Sequence, residues 1–152
     1  MATIATIGYE GATISTFQEA IRDAGIDLLI DVRALASSRR PGFAKTRLAA
    51  NAKEAGAEYL HLRALGTPSD GRAAARAGRH GEMRSIFQTQ LATPEAQAEL
   101  ALIADLVGQG RRVCLLCFEA DPAHCHRSLV AGALSVLVPA TIVHLAPGDG
   151  ES

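Results

Sequence analysis

Five short apolar segments alternate along the chain with longer segments in which apolar residues recur every three or four positions. The short segments, rich in Ile, Leu, Val and Thr, predict β-strands at residues 2–7, 27–32, 58–62, 112–118 and 140–145. The longer segments predict helices at residues 15–24, 46–55, 82–91, 94–108 and 128–137. This alternation predicts a single α/β domain, a mainly parallel sheet of about four or five strands flanked by helices on both faces.

Turn and capping signals refine these boundaries. Ser15 and Gln18 resemble a capping box at the start of the first helix, and Pro94 suits the first turn of a later one. Residues 34–44 predict a loop, and residues 63–81, rich in Gly and Arg, predict a long mobile loop. We expect the domain to cover residues 1–146 and residues 147–152 to form a flexible tail.

Composition limits the class of protein. The chain has 152 residues, 48% of them hydrophobic, which is typical of a globular domain. No segment approaches the roughly 20 apolar residues of a membrane span, so no membrane partner is expected. The N-terminus does not resemble a signal peptide, and three cysteines give no disulfide framework. A cytoplasmic location is therefore expected, and the oligomeric state stays open.

Charge is distributed unevenly along the chain. Residues 33–84 carry eleven Lys or Arg against four acids, whereas the segments on either side are both net acidic. Arg supplies 13 of the 15 basic residues, and its guanidinium suits bidentate contacts with phosphate or carboxylate. The basic segment is either a solvated surface or an attractor of anions, which could be a phosphorylated ligand or a nucleic acid.

Residues 117–127 hold the densest group of chemically reactive side chains. They contain two thiols, two imidazoles, two carboxylates and one guanidinium, between a predicted strand and a predicted helix. Because the carboxyl ends of parallel strands meet at one edge of a sheet, side chains from other strand ends should lie nearby. The residues that this rule brings together are Tyr9, Glu10, Asp31, Arg33, His61, Cys117 and Glu119, beside Cys125, His126 and Arg127.

Cys117 and Arg127 are the strongest candidates for chemistry. Cys117 is either a nucleophile, activated by a helix N-terminus and neighbouring cations, or a buried strand thiol. Arg127 lies near the start of a helix, where an anion is favoured, but it could equally pair with Asp31 or Glu119. Glu119 is a candidate general base.

A metal site is weighed at the same residues. Cys117, His124, Cys125 and His126 are possible zinc ligands, but their spacing matches no common zinc motif. Adjacent residues such as Cys125 and His126 are not expected to point at one ion. No metal and no other cofactor is therefore expected.

The remaining candidates could bind a ligand or have structural roles. Asp31 is either a general base or a partner that fixes Arg127 or Arg33. Arg39 and Lys45 could hold a phosphate, unless their loop only wraps the domain around Phe43. Tyr9 and Glu10 could orient a ligand or cap a helix. His61 could bind a ligand or be a core histidine.

Several short motifs occur in a characteristic order: Thr6-Ile7-Gly8-Tyr9-Glu10-Gly11, Asp31-Val32-Arg33, Ser38-Arg39, Pro41-Gly42-Phe43, Lys45, Tyr59-Leu60-His61-Leu62, Leu65-Gly66-Thr67-Pro68, Leu115-Leu116-Cys117-Phe118-Glu119, Pro122 and Cys125-His126-Arg127. Together they resemble the bacterial family known as domain of unknown function 488, over about residues 3–135. The chain differs from the family at Ala34-Leu35-Ala36, where a turn-forming residue is common. The resemblance implies an α/β fold and a shared polar site. It implies no reaction.

Three functions fit these observations. The first is a protein that binds or acts on a phosphorylated small molecule or nucleotide, with Cys117, Glu119 and Asp31 as the candidate catalytic residues of a hydrolase or transferase. The second is a nucleic-acid-binding module that uses residues 33–84, although it lacks aromatic residues for base stacking. The third is a metal-binding or redox-sensing protein built on Cys117 and Cys125.

Overall fold

A computed structural model describes residues 2–148 as five strands and six α-helices. The strands are β1 (Ala2–Gly8), β2 (Leu28–Asp31), β3 (Glu58–His61), β4 (Val113–Cys117) and β5 (Ala140–Leu145). The helices are α1 (Ile14–Asp23), α2 (Lys45–Glu54), α3 (Ser69–Arg76), α4 (His80–Leu91), α5 (Pro94–Gly108) and α6 (Arg127–Leu137). Short 3-10 turns cover Arg63–Leu65 and Pro122–His124.

The five strands form one parallel sheet in the order β3-β2-β4-β1-β5. Strand β4 therefore lies between β1 and β2, and Gly8 and Cys117 are paired at the carboxyl ends of β1 and β4. The chain reverses its direction across the sheet when it returns from β3 to β4. Ligands of open parallel sheets bind beside such a reversal, at the carboxyl ends of the strands.

Alternate side chains of the strands enter two separate cores. Ile30, Leu115 and Cys117 pack on one face with α4, α5 and α6. Leu29 and Leu116 pack on the other face with α1 and α2. Because successive strand residues point to opposite faces, strands covered on both sides are continuously apolar. The predicted α/β architecture with helices on both faces is confirmed.

The predicted N-cap of the first helix, Ser15, lies two residues too late in the chain. Thr13 is the N-cap, and its hydroxyl accepts a hydrogen bond from the backbone N–H of Thr16 at 3.1 Å. The Thr16 hydroxyl in turn accepts from the N–H of Thr13, so these two threonines form the capping box. Gln18 is not part of the cap and donates to the carbonyl of Asn51 at 3.0 Å.

The predicted mobile loop at residues 63–81 is also wrong. This segment contains the 3-10 turn Arg63–Leu65, the whole of α3 and the first residues of α4. Leu65 and Ala74 are fully buried and attach the segment to the core. Helix α3 can form because Ala and Arg are good helix formers, and its burial of Ala74 outweighs the cost of Gly71 in its first turn.

Two other expectations concern the ends and the membrane. The predicted tail at residues 147–152 lies mostly outside residues 2–148, the part of the chain that is described. In that part, no helix combines the length and the apolar character that a membrane span needs.

Candidate functional site

A pocket of about 470 Å³ opens at the carboxyl ends of β1, β2 and β4. Strand ends and loops supply one side of it, and α3 with the start of α4 supplies the other. The structure brings the following predicted site residues to its surface: Tyr9, Glu10, Arg33, Cys117, Glu119, Cys125 and His126. Seven candidates from three distant chain segments therefore share one concavity.

Cys117 and Cys125 lie side by side in this pocket and are joined by a disulfide in this structure. The expectation that the chain has no disulfide is thus wrong for this pair. The strand β4 ends at Cys117, and a 3-10 turn returns the chain so that Cys125 lies two residues before the start of α6. The third cysteine, Cys114, is buried in the opposite core, where burial raises the pKa of its thiol.

His126 completes a cluster with the two cysteines. Its Nε2 lies 2.7 Å from the carbonyl oxygen of Val32, which can only accept, so Nε2 carries a proton. Burial lowers the pKa of His126 to about 4, which keeps the ring neutral at pH 7 and leaves Nδ1 with a free lone pair. Nδ1 faces the sulfur of Cys125 at 3.7 Å.

The sulfurs of Cys117 and Cys125 and a ring nitrogen of His126 all lie within 4.8 Å of one another. The sequence argument that Cys125 and His126 would diverge is therefore wrong. His126 is the N-cap of α6 with helical backbone angles, whereas Cys125 is extended, and this change of conformation turns both side chains to the same side.

Arg127 lies behind the pocket and not on its surface. Its guanidinium is fully buried and donates to Thr6 Oγ1 at 3.1 Å, to Cys117 Sγ at 3.2 Å, and to the carbonyls of Glu119 and Ala120. Four of its five N–H donors thus bind protein acceptors, and Arg127 does not line the pocket, so its position does not fit the prediction that it grips a ligand anion. Burial lowers the pKa of Arg127, yet the group stays cationic because its usual pKa is so high.

The loop after Cys117 is fixed from two sides. Arg127 holds its carbonyls, and the carboxylate of Glu10 accepts the N–H of Ala120 at 3.0 Å. This loop places the Glu119 carboxyl 3.7 Å from the sulfur of Cys117. Burial raises the pKa of Glu119. Of the two roles predicted for Glu10, that of capping the following helix is therefore wrong.

Asp31 and Arg33 form a buried ion pair beneath the pocket. Arg33 Nη2 lies 2.7 Å from Asp31 Oδ2, and Arg33 also donates to the Tyr9 hydroxyl and to the carbonyl of Phe43. Burial acts to lower the pKa of Arg33, but the hydrogen bonds and charge of Asp31 raise it above its ordinary value. Asp31 does not line the pocket. Its position therefore fits the role of a partner that fixes Arg33, and not the role of a general base.

Three other predicted residues lie elsewhere. His61 is half-buried at the end of β3, with Nε2 2.7 Å from the carbonyl oxygen of Arg33. Arg39 and Lys45 are exposed, and neither is among the residues that line the pocket. The 34–44 loop instead anchors itself through Phe43, which is buried and stacks on Tyr9 at 4.6 Å between ring centroids.

Besides Arg33, the arginines that line the pocket come from α3. Arg72 and Arg76, one helical turn apart, line the pocket together with the cysteines. Arg72 also donates to the carbonyl of Thr67 at 2.9 Å. The sequence prediction missed both because it treated their segment as a loop. Their four-residue spacing with Ala74 between them on the buried side is the signal that could have found them.

Comparison with known proteins gives one match. The model of the family described as Domain of unknown function DUF488 matches residues 13–134, which is most of the chain and includes β2, β3, β4 and nearly all of α6. No curated protein and no solved structure matches the chain.

Proposed function

The chain belongs to the DUF488 family, and from its site we propose that it is an enzyme that hydrolyses or transfers a phosphoryl group of a small anionic molecule. The substrate would lie in the pocket between the strand ends and α3, as a phosphorylated metabolite or a nucleotide. The observation that carries this proposal is a buried sulfur, Cys117, which lines one concavity together with Arg72 and Arg76 and accepts a hydrogen bond from Arg127 behind it.

The electrostatics of the pocket favour an anion. Arg72 and Arg76 present guanidinium groups at its wall. Behind its floor, Arg127 donates to a hydroxyl, a sulfur and two carbonyls, and the carboxyls of Glu119 and Asp121 act on it only through space. A buried cation that makes no hydrogen bond to a carboxylate still attracts negative charge more strongly than the same cation in water.

The reactive groups lie where a bound phosphate would meet them. Cys117 and Glu119 both line the pocket, with 3.7 Å between the sulfur and the carboxyl. Glu119 is placed to exchange a proton with water or with the leaving oxygen. Two roles are open to Cys117: it attacks phosphorus directly, or it holds a metal ion that acts on the phosphate. In both roles, one water molecule is consumed when a phosphomonoester is converted to an alcohol and inorganic phosphate.

The reacting form is the dithiol, because a disulfide leaves Cys117 with neither a nucleophile nor a ligand lone pair of thiolate strength. A reducing compartment such as the cytoplasm keeps such a pair reduced. Experiments on this function therefore use protein treated with a phosphine reductant.

Replacing Arg76 or Arg72 with Gln is expected to weaken binding of pyrophosphate or AMP about tenfold for each residue, since each substitution removes one charge-assisted contact. Gln keeps the helix propensity of α3. Isothermal titration calorimetry on the reduced protein measures the dissociation constants.

Arg79→Gln is the matched control for this measurement. It removes the same charge from the same region, but Arg79 pairs with Glu82 on the surface and does not line the pocket. Equal weakening in Arg76→Gln and Arg79→Gln would show a general effect of net charge and contradict the proposed site. Absence of binding to the wild-type protein would contradict the proposal itself.

Turnover is tested on the same variants with p-nitrophenyl phosphate. We expect Cys117→Ala and Glu119→Gln to lower kcat/KM about 100-fold or more, in the range of lost acid–base and nucleophilic groups. Cys114→Ala, which removes a buried thiol on the other core, should retain activity. Undiminished turnover in Cys117→Ala would refute the role of this sulfur.

A further inference from the structure

We propose that the dithiol form of this protein holds one zinc-class divalent ion between Cys117 Sγ, Cys125 Sγ and His126 Nδ1, with a fourth coordination position open to the pocket. Metal binding itself stands on the geometry of these three residues. Only the role of the ion in turnover rests on the proposed function.

The separation of Cys125 Sγ from His126 Nδ1 fits a tetrahedral ion. With bonds of about 2.3 Å to sulfur and about 2.0–2.1 Å to nitrogen, a sulfur and a nitrogen on one zinc ion lie roughly 3.6 Å apart. The distance from Cys125 Sγ to His126 Nδ1 is 3.7 Å. The Cα atoms of Cys117 and Cys125 are 7.3 Å apart, beyond the range of roughly 4.4–6.8 Å usual for direct disulfides. Two thiolates that share an ion suit this separation without a direct bond.

The surroundings of the ligands are those of a metal site. A histidine ligand usually donates its other ring N–H to a carbonyl or carboxylate, which fixes the tautomer and aims the free nitrogen at the ion. The hydrogen bond from His126 Nε2 to the carbonyl of Val32 does this. Arg127 Nη1 donates to Cys117 Sγ, which compensates part of the negative charge on a metal-bound thiolate.

The identity of the ion follows from its donors. Two thiolates and one imidazole are soft to borderline donors, which favour zinc over magnesium or calcium. Three protein ligands leave one position of a tetrahedron, and all three line the pocket, so that position faces the space for substrate. Such open sites are catalytic, whereas structural zinc sites are closed by four protein ligands.

The dithiol form and the disulfide form seen in the structure differ by two electrons and two protons. A phosphine or dithiol reductant supplies two electrons, and with two protons the disulfide becomes two thiols. Binding of the divalent ion then releases the two thiol protons and forms two metal–sulfur bonds. A small-molecule disulfide can act as the oxidant and is itself reduced to two thiols. Its reaction with the two thiolates would re-form the disulfide between Cys117 and Cys125 and release the ion.

Cobalt(II) tests this site because its spectrum reports the ligands. Reduced, metal-free protein is titrated anaerobically with cobalt(II). We expect one ion per chain, sulfur-to-cobalt charge-transfer absorption in the near ultraviolet, and visible bands of tetrahedral intensity. Zinc added afterwards should displace the cobalt and remove these bands. Absence of thiolate bands, or saturation only with several ions per chain, would overturn the proposal.

Variants identify the ligands. Cys125→Ser and His126→Gln should each weaken cobalt binding by at least about 100-fold, because loss of a ligand costs more than loss of the groups that support it. Cys114→Ala is the matched control and should bind cobalt as the wild type does, since Cys114 lies in the other core. Circular dichroism of each variant shows whether it is folded. Unchanged binding in His126→Gln would overturn the assignment of that ligand.

The two proposals fail in different ways. If cobalt does not bind but Cys125→Ala still turns over phosphate ester and Cys117→Ala does not, Cys117 is a nucleophile and the metal proposal is wrong. If one cobalt binds but pyrophosphate does not, the metal site stands and the proposed function is wrong. Arg76→Gln should change anion binding and leave the metal stoichiometry at one, because Arg76 is not one of the three proposed ligands.

Discussion

Replacing Asp31 with Asn is expected to lower the free energy of unfolding by about 3–5 kcal/mol, the cost of leaving a buried charge without its partner. Asp31 is fully buried and its two oxygens have four donors. Oδ1 accepts from the N–H and the Nε of Arg33, and Oδ2 accepts from Arg33 Nη2 and from the Tyr59 hydroxyl. An amide offers one oxygen and turns an NH₂ group toward donors, so it cannot replace the carboxylate.

Asp27→Asn is the control for the Asp31 prediction. Asp27 pairs with Arg111 at 2.8 Å, but the two side chains are 44% and 30% exposed. Exposed pairs contribute about 1 kcal/mol or less, so this variant should be nearly as stable as the wild type. Urea denaturation followed by circular dichroism compares the two. If Asp31→Asn lowers the free energy of unfolding no more than Asp27→Asn does, the Asp31 carboxylate does not stabilise the buried charge of Arg33.

Replacing Gly8 with Ala is expected to destabilise the protein by about 3 kcal/mol and to disorganise the pocket, because the substitution overpacks a site with no space. A Cβ atom on Gly8 would lie 1.7 Å from the carbonyl oxygen of Glu119 and 2.9 Å from Arg127 Nη1. The nearer atom is backbone, so relief requires the loop after Cys117 to move. Pyrophosphate binding should fall together with stability.

Gly132→Ala provides a control with the opposite sign. Gly132 lies within α6, and a Cβ there would meet nothing within 4 Å. Alanine should therefore stabilise the helix by about 0.5–1 kcal/mol. Urea denaturation of both variants, with calorimetric titration of the anion, measures the contrast. If Gly8→Ala were as stable as the wild type and bound pyrophosphate equally well, the packing of the Glu119 backbone on β1 would not position the site.

The sheet could be predicted from the sequence because its strands are buried on both faces. Segments such as Leu28–Asp31 and Val113–Cys117 are continuously apolar until their last residues, and that pattern has few alternatives in a short segment. The position of the pocket followed from the same pattern, since parallel strands end at one edge. The order of the strands did not follow, because each strand could pair with any other of similar apolar character.

The contacts within the site could not be predicted with the same success. Arg127 is a cation in the first turn of a helix, and local electrostatics suggested an anion beside it. The structure satisfies it with a hydroxyl from β1, the sulfur at the end of β4 and two carbonyls of the loop after β4. The contact with Thr6, more than a hundred residues away in the chain, depends on the strand order, which the sequence pattern does not contain.

The cluster of Cys117, Cys125 and His126 is a case in which the structure contains contacts that the sequence argued against. Spacing argued against a shared ion, because adjacent residues in regular structure diverge. The backbone changes from extended at Cys125 to helical at His126, and the 3-10 turn before them brings Cys125 to Cys117. A change of conformation between two neighbouring residues is set by tertiary contacts such as the one between His126 and Val32.

The most direct test of the account is to map where a phosphate probe binds on the reduced protein, by ¹H–¹⁵N NMR during a titration with pyrophosphate. If the anion binds in the pocket, the largest shifts will fall on Glu10, Ala34, Arg76 and Phe118. A second cavity of about 530 Å³ lies beside Arg111 and Arg112 and provides an internal alternative. Shifts centred on that cavity, or no shifts at the pocket when the probe is saturating, would contradict the account.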